Sequence, residues 1–155
     1  MSLQKPLVLA LASLTLLLSS GVQADGLKPE EMIKYRKAAY NFMAWNMGKI
    51  KGNLEGDFNK DAVVNAAGAI ATVANSGMGA LYAPGTDKNI GGEKTRLKSE
   101  FFKEPQKVRE IAMNFNKEAT ELAKVAAGGD EIAIQSQLAK LGDACKACHE
   151  RYRAK

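Results

Sequence analysis

Two cysteines and the chain's only histidine lie together near the C-terminus, in the segment Cys145-Lys146-Ala147-Cys148-His149. On a helix, side chains three residues apart leave the same face about one turn apart, so both sulfurs can bond one planar group. C-x-x-C-H is the pattern of covalent haem attachment, and neutral imidazole is a common axial ligand of haem iron. The segment therefore predicts thioether bonds from Cys145 and Cys148, and an iron ligand in His149.

Three other interpretations of the segment account for it less well. A thioredoxin-like dithiol normally opens a helix, where the helix dipole lowers the thiol pKa, whereas these cysteines lie in the closing turns of the chain. A zinc site lacks a fourth ligand, since the chain has only 2 Cys and 1 His. A disulfide between positions i and i+3 of one helix encloses little chain and stabilises it little.

The first residues have the pattern of an export signal. Lys5 supplies a positive charge, and Pro6 to Leu18 form an apolar stretch that is too short to span a bilayer comfortably. We expect cleavage after Ala24, so that residues 1–24 are a signal peptide and residues 25–155 are the folded domain. The prediction is a periplasmic protein without membrane attachment after cleavage; an uncleaved anchor is the alternative.

Composition and charge limit the other functions that the chain could have. The chain has 155 residues, of which 46% are hydrophobic and 25% are charged, as in an ordinary single globular domain. A formal charge of +5 that is not gathered in one block, without basic runs and interleaved aromatics, argues against a nucleic-acid partner. No activated nucleophile, paired-carboxylate motif or glycine-rich phosphate loop stands out, so we expect no enzyme.

Hydrophobic periodicity and capping residues predict four helices and no strands. The first is expected to stop at Gly52, and Asp130 is expected to cap the last. Short, long and short connections between helices of similar length indicate an all-α, antiparallel up-down four-helix bundle. The four predicted helices run from Pro29 to about Lys51, from about Asn59 to Asn75, from near Pro105 to Gly128, and from Glu131 to about Arg153.

A chain of four helices with one C-x-x-C-H near its C-terminus resembles the class II c-type cytochromes, and specifically the cytochromes c′. The resemblance covers the whole chain after the signal peptide. It implies one covalently attached haem c, and a homodimer formed through the first two helices. Besides the attachment motif, the matching segments are Lys28-Pro29-Glu30-Glu31, Lys34-Tyr35-Arg36, Ala83-Pro84-Gly85-Thr86 and Tyr152-Arg153.

The resemblance also implies how the iron is ligated. His149 is the sole axial protein ligand of a five-coordinate iron, and a side chain of the first helix covers the sixth position, which on this pattern is Tyr40. Such an iron binds NO and CO when the Tyr40 side chain moves aside, and it can also transfer electrons. The resemblance places Arg36 and Arg153 near the haem edge and its proximal face. Met43 is i+3 from Tyr40 and shares its face.

A low-spin electron carrier is the alternative within the same class. Its low-spin members use a methionine of the first helix as sixth ligand, and Met43 and Met47 share the Tyr40 face, with Met32 nearby. Separately from the ligation, Tyr40 can be an ordinary core aromatic, and Arg36 and Arg153 can be solvated surface residues. In either case the haem pocket is expected between the first and last helices.

Overall fold

The structure, a computed structural model, describes residues 26–155. The predicted signal peptide, residues 1–24, lies outside this part of the chain. Within the described residues there are isolated β-bridges but no strand, and no helix is both long and apolar enough to cross a membrane. The helices are α1 (Pro29–Glu55), α2 (Lys60–Ala74), a 3-10 helix (Met78–Leu81), the one-turn α3 (Glu100–Lys103), α4 (Pro105–Gly128) and α5 (Glu131–Tyr152).

The four long helices form the predicted antiparallel four-helix bundle. α1 packs along α2, α2 along α4, and α4 along α5, whereas α1 and α5 contact each other much less. Buried aliphatic side chains from all four helices, including Ile50, Ile70, Leu122 and Leu141, form one core. The weak contact between α1 and α5 leaves space between the first and last long helices.

Local capping sets most of the helix ends where the sequence predicts them. Gly129 ends α4 with a left-handed φ of 81°. The Asp130 carboxylate then accepts hydrogen bonds from the backbone N–H groups of Ile132 and Ala133, which begins α5. Asn59 caps α2 in the same way, through its side-chain oxygen. These boundaries depend on neighbours within a few residues, so the sequence predictions are confirmed.

The predicted end of the first helix is wrong, because α1 continues through Gly52 to Glu55. An interior glycine costs a helix only about 1 kcal/mol relative to alanine. Leu54, one half-turn later, packs against the bundle core. The side-chain amide of Asn53 also donates to the carbonyl of Lys49, at 2.9 Å. Packing of the last turn therefore outweighs the weak helix propensity of Gly52.

The long connection between α2 and α4 is tied to the bundle by a buried arginine. Arg36 of α1 is only 5% exposed, and its guanidinium donates to the hydroxyls of Thr86 at 2.8 Å and Thr95 at 2.7 Å. A β-bridge between Leu97 and Arg153 attaches the same connection to the end of α5. The interpretation of Arg36 as a solvated surface residue is therefore wrong, and the connection forms a wall beside α1 and α5.

Candidate haem site

A cavity of about 610 Å³ opens between α1 and α5, with side chains of α4 and of the long connection along its other sides. This is the place that the sequence predicts for a haem pocket, and the volume lies within the range of cofactor pockets. The cavity brings together residues of α1 and residues from the end of the chain. All seven predicted site residues line it: Arg36, Tyr40, Met43, Cys145, Cys148, His149 and Arg153.

The two thiols reach the cavity from the last turns of α5. Cys145 and Cys148 are half-buried and both are free. Burial raises the pKa of both thiols, and the neighbouring Cys148 raises that of Cys145 further. A redox dithiol needs a lowered thiol pKa, which a helix N-terminus provides and these last turns do not. The environment of the cysteines therefore argues against the thioredoxin-like alternative.

His149 lies on the same side of the cavity, in the form that binds metals. Burial lowers the pKa of its imidazole, and the positive charge of Arg96 lowers it further. The neutral ring has a nitrogen lone pair available for a metal ion. Arg153 follows α5 with extended backbone, and its N–H donates to the His149 carbonyl at 3.1 Å. The exposed Arg153 lines the cavity.

Tyr40 faces the cavity from α1. The residue is 37% exposed, and its side chain lines the cavity. Surrounding protein atoms nonetheless desolvate the phenol, and this burial raises its pKa. The Tyr82 hydroxyl donates a hydrogen bond to the Tyr40 hydroxyl at 3.1 Å. Sequence reasoning missed Tyr82, although it directly precedes the Ala83-Pro84-Gly85-Thr86 segment that carried part of the resemblance.

Two methionines of α1 also border the cavity. Met43 is 4% exposed and belongs to the bundle core, while Met47 is partly buried and packs against that core. Met32, which lies near the same face in the sequence, is not among the residues that line the cavity. Met43 and Met47 are therefore the α1 methionines that border the site, and Met78 of the 3-10 helix lines it as well.

An aromatic cluster closes the end of the cavity and was not predicted. The rings of Tyr82 and Phe101 stack with their centroids 4.5 Å apart, and Phe101 meets Tyr152 edge-on at 5.6 Å.

Glu104 connects two helices at this end of the molecule through hydrogen bonds. Its carboxylate accepts from the Tyr152 hydroxyl at 2.6 Å and from Arg151 at 2.7 Å, which ties the start of α4 to the end of α5.

The charge and polarity of the cavity suit a porphyrin. Val108, Ile111 and Phe115 of α4 provide apolar lining, which fits a flat apolar ring. None of the described residues that line the cavity is acidic. The cationic residues among them, which can pair with the carboxylates of a haem, are Arg36, Lys37, Lys94, Arg96 and Arg153. Free thiols, a neutral imidazole, an apolar side and a cationic rim together fit a covalently attached haem.

A family model described as Cytochrome C' matches residues 31–153. The chain belongs to the cytochrome c′ family. Cytochrome c′ of Allochromatium vinosum is 56% identical over 138 residues, which cover 89% of this chain and 90% of the relative. Cytochrome c′ of Rhodocyclus tenuis is 49% identical over 129 residues, which cover 83% of this chain and 97% of the relative.

Solved cytochromes c′ have the same fold. The crystal structure of cytochrome c′ from Thermochromatium tepidum has a TM-score of 0.81 and 55% identity, covering 84% of this chain and 99% of that one. A second cytochrome c′, described as having an unusual ligand-controlled dimer dissociation, has a TM-score of 0.82 and 57% identity, with the same coverage of 84% and 99%. As a cytochrome c′, the chain carries covalently attached haem c.

Proposed function

We propose that this cytochrome c′ is a periplasmic haem protein that binds NO and CO at an open iron position and exchanges electrons with redox partners. In this proposal Cys145 and Cys148 form the thioether bonds, and His149 is the sole axial protein ligand. Tyr40 covers the sixth position. The bound haem supplies an iron that changes redox state and accepts small ligands. The observation that carries the proposal is that Tyr40 of α1 and His149 of α5 line the same cavity.

The Tyr40 side chain controls access by its bulk. A phenol ring on the open side of the site admits only a ligand that displaces it, and the exposed part of Tyr40 opens into a cavity with room for such movement. Burial raises the pKa of Tyr40, so burial favours the neutral hydroxyl over the phenolate. Two single-residue variants of Alcaligenes xylosoxidans cytochrome c′, which share this fold, are described as carrying CO and NO respectively.

An absorption spectrum of the purified, reduced protein tests the open site. We expect the bands of a high-spin haem and a clear change when CO is added.

Met43 and Met47 border the same cavity, and they favour the second candidate function, a low-spin electron carrier with a methionine ligand. A sharp low-spin spectrum that CO leaves unchanged would establish this second function and overturn gas binding.

A second test concerns Tyr40 as the residue that limits access. Tyr40→Ala removes the ring, so the rate of CO association should rise by at least about tenfold if displacing the ring costs a few kcal/mol. Ile132→Ala is the control, since Ile132 of α5 is 80% exposed and does not line the cavity, and its rate should equal that of the wild type. An unchanged rate in Tyr40→Ala would remove the proposed role of Tyr40.

We further propose that two copies of the chain associate through the outer face of α1. Tyr35, Phe42 and Trp45 are 50%, 45% and 59% exposed and recur on one face of this helix. The rings of Phe42 and Trp45 lie 5.7 Å apart, which makes a continuous aromatic surface. Tyr and Trp are typical of interface centres. The relative described as having a ligand-controlled dimer dissociation supports a dimer here, and we propose that CO is a ligand that weakens it.

The periplasmic location follows from the predicted signal peptide. When the chain is produced in a host that exports it and attaches haem, we expect the protein in the periplasmic fraction. Its mass should correspond to residues 25–155 plus one haem. Protein that stays in the membrane fraction with residues 1–24 attached would instead support the uncleaved anchor.

A further inference from the structure

We propose that Tyr82 holds the Tyr40 side chain in its closed position, so that a gas must break a tyrosine–tyrosine hydrogen bond before it binds. The inference rests on the proposed function, because it concerns how Tyr40 limits access. Tyr82 is a positioning residue here, since it acts through Tyr40. A hydrogen bond in this place adds to the steric effect of the ring.

The contact that carries the inference joins two separate elements. The Tyr82 hydroxyl donates to the Tyr40 hydroxyl at 3.1 Å, which connects α1 to the end of the 3-10 helix 42 residues later. Burial raises the pKa of both phenols, so both hydroxyls keep their protons at neutral pH. A hydrogen bond between desolvated groups is stronger than one in water.

Tyr82 is itself fixed from several directions. The guanidinium of Arg36 lies 4.9 Å from the centroid of the Tyr82 ring, which is within the range of a cation–π contact. The same ring stacks on Phe101 with an interplanar angle of 20°. Arg36 is in turn bonded to Thr86 and Thr95 on the connection that carries Tyr82. Tyr82 is therefore held by the bundle and cannot readily follow the Tyr40 side chain.

The Tyr40 side chain can therefore move more easily than the Tyr82 side chain. Tyr40 has the larger exposure and opens into the cavity, whereas Tyr82 is half-buried among the groups that hold it. When the Tyr40 ring moves aside, the hydrogen bond breaks and Tyr82 stays in place. A typical net hydrogen bond corresponds to about a twofold to tenfold change in an equilibrium or rate. We expect an effect of that size on gas binding.

The experiment removes one hydroxyl at a time and keeps each ring. Tyr82→Phe in the haem-loaded protein should raise the rate of CO association about twofold to tenfold. Tyr40→Phe should raise it similarly, and the double variant should be no faster than the faster single variant, because both substitutions break the same bond. Ser136→Ala, which removes an exposed hydroxyl of α5 outside the cavity lining, should keep the wild-type rate.

A second readout does not involve gas. Unfolding of the unligated, haem-loaded protein by denaturant, measured for the wild type, both single variants and the double variant, gives the coupling between the two hydroxyls. We expect a coupling of about twofold to tenfold in the unfolding equilibrium constant. A residue that merely fills space would show additive effects in both measurements.

The outcomes separate this inference from the proposed function. If Tyr40→Ala speeds CO association while Tyr82→Phe does not, the inference is overturned and Tyr40 keeps its role. Additive rates, or unfolding without coupling, overturn the inference as well. If the wild-type protein binds no CO, the proposed function fails and the inference fails with it.

Discussion

At the scale of single residues, the site consists of side chains whose chemistry is set by their surroundings. Burial keeps the cysteine thiols protonated and the His149 imidazole neutral. The neutral imidazole could then hold the iron, and the two reduced cysteines could hold the haem through thioether bonds. The same desolvation keeps the phenol of Tyr40 uncharged. Desolvation in one cavity therefore favours the neutral forms of the side chains on both α1 and α5.

The attachment residues can be tested by mass. We expect Cys145→Ala and Cys148→Ala each to retain haem through the remaining thioether, because either sulfur alone forms a covalent bond. The double variant should lose covalent haem, which mass spectrometry under denaturing conditions detects directly. Lys146→Ala, which changes the exposed residue beside Cys145, is the control and should keep haem fully attached. Covalent haem in the double variant would contradict the assignment.

At the scale of elements, the cavity walls are positioned by helix caps between neighbouring residues and by side-chain hydrogen bonds between distant helices. Gly129 and Asp130 form the turn between α4 and α5. Glu104 then joins the start of α4 to the other end of α5, through Arg151 and Tyr152. The C-x-x-C-H segment lies just before these last contacts, so both ends of α5 are held.

The turn between α4 and α5 gives a prediction for stability. Gly129→Ala should destabilise the protein by about 1–2 kcal/mol, because a side chain is disfavoured at a φ of 81°. An added Cβ would also lie 2.9 Å from the Cδ atom of Lys60. Gly142→Ala is the matched control inside α5, where nothing lies within 4 Å, and it should stabilise by about 0.5–1 kcal/mol. Thermal unfolding measures both, and equal effects would refute the argument.

The hydrogen bonds of the Glu104 carboxylate predict how the stability of the protein depends on pH. Hydrogen bonds from Arg151 and then from Tyr152 lower the pKa of Glu104 from 4.5 to about 2. A lowered pKa means that the folded state favours the carboxylate, so this stability is complete above pH 4.5 and is lost as the pH falls towards 2. Glu104→Gln should therefore lower the melting temperature at pH 7 and show less acid dependence in that interval.

The control for this pH prediction is a glutamate in an exposed pair. Glu55 pairs with Lys51 at 3.6 Å on the surface of α1, where an ion pair contributes little to stability. Glu55→Gln should keep the melting temperature and acid dependence of the wild type. If Glu104→Gln behaves like Glu55→Gln, the tie between α4 and α5 does not stabilise the fold.

At the scale of the whole molecule, α1 lines the cavity on one face and presents aromatic side chains on its outer face. Tyr40 faces the cavity, while Phe42 is two residues further along, about 200° around the helix, and faces outwards with Trp45. A helix that borders both the ligand site and an aromatic outer face can transmit a displacement from one to the other. This arrangement is consistent with the proposal of a dimer that CO weakens.

The proposed dimer is tested by its outer aromatic residues. Trp45→Glu should weaken self-association by about 30-fold or more, because a buried Trp at an interface centre contributes about 2 kcal/mol or more. Ile132→Glu, on α5 and 80% exposed, is the control and should dimerise like the wild type. Analytical ultracentrifugation measures both. A Trp45→Glu protein that dimerises normally would exclude this face.

The sequence by itself determined the features that depend on neighbours within a few residues. The attachment motif, the caps at Asn59 and Asp130, and the turn at Gly129 are all of this kind. Helical periodicity also located the four long helices that supply the core. It missed Gln137, a buried polar residue of α5 whose amide donates to the Glu118 carboxylate at 2.7 Å. Such a polar residue is buried only because its partner lies on the neighbouring helix.

Only the tertiary structure decided the features that depend on partners far along the chain. Arg36 is buried because hydroxyls 50 and 59 residues later accept its hydrogen bonds. Tyr82 meets Tyr40 because the connection that carries it folds back against α1. Gly52 lies inside a helix because Leu54 packs on the bundle core. The free energy of each arrangement comes from contacts that no local pattern contains, so they could not be predicted from spacing or propensity.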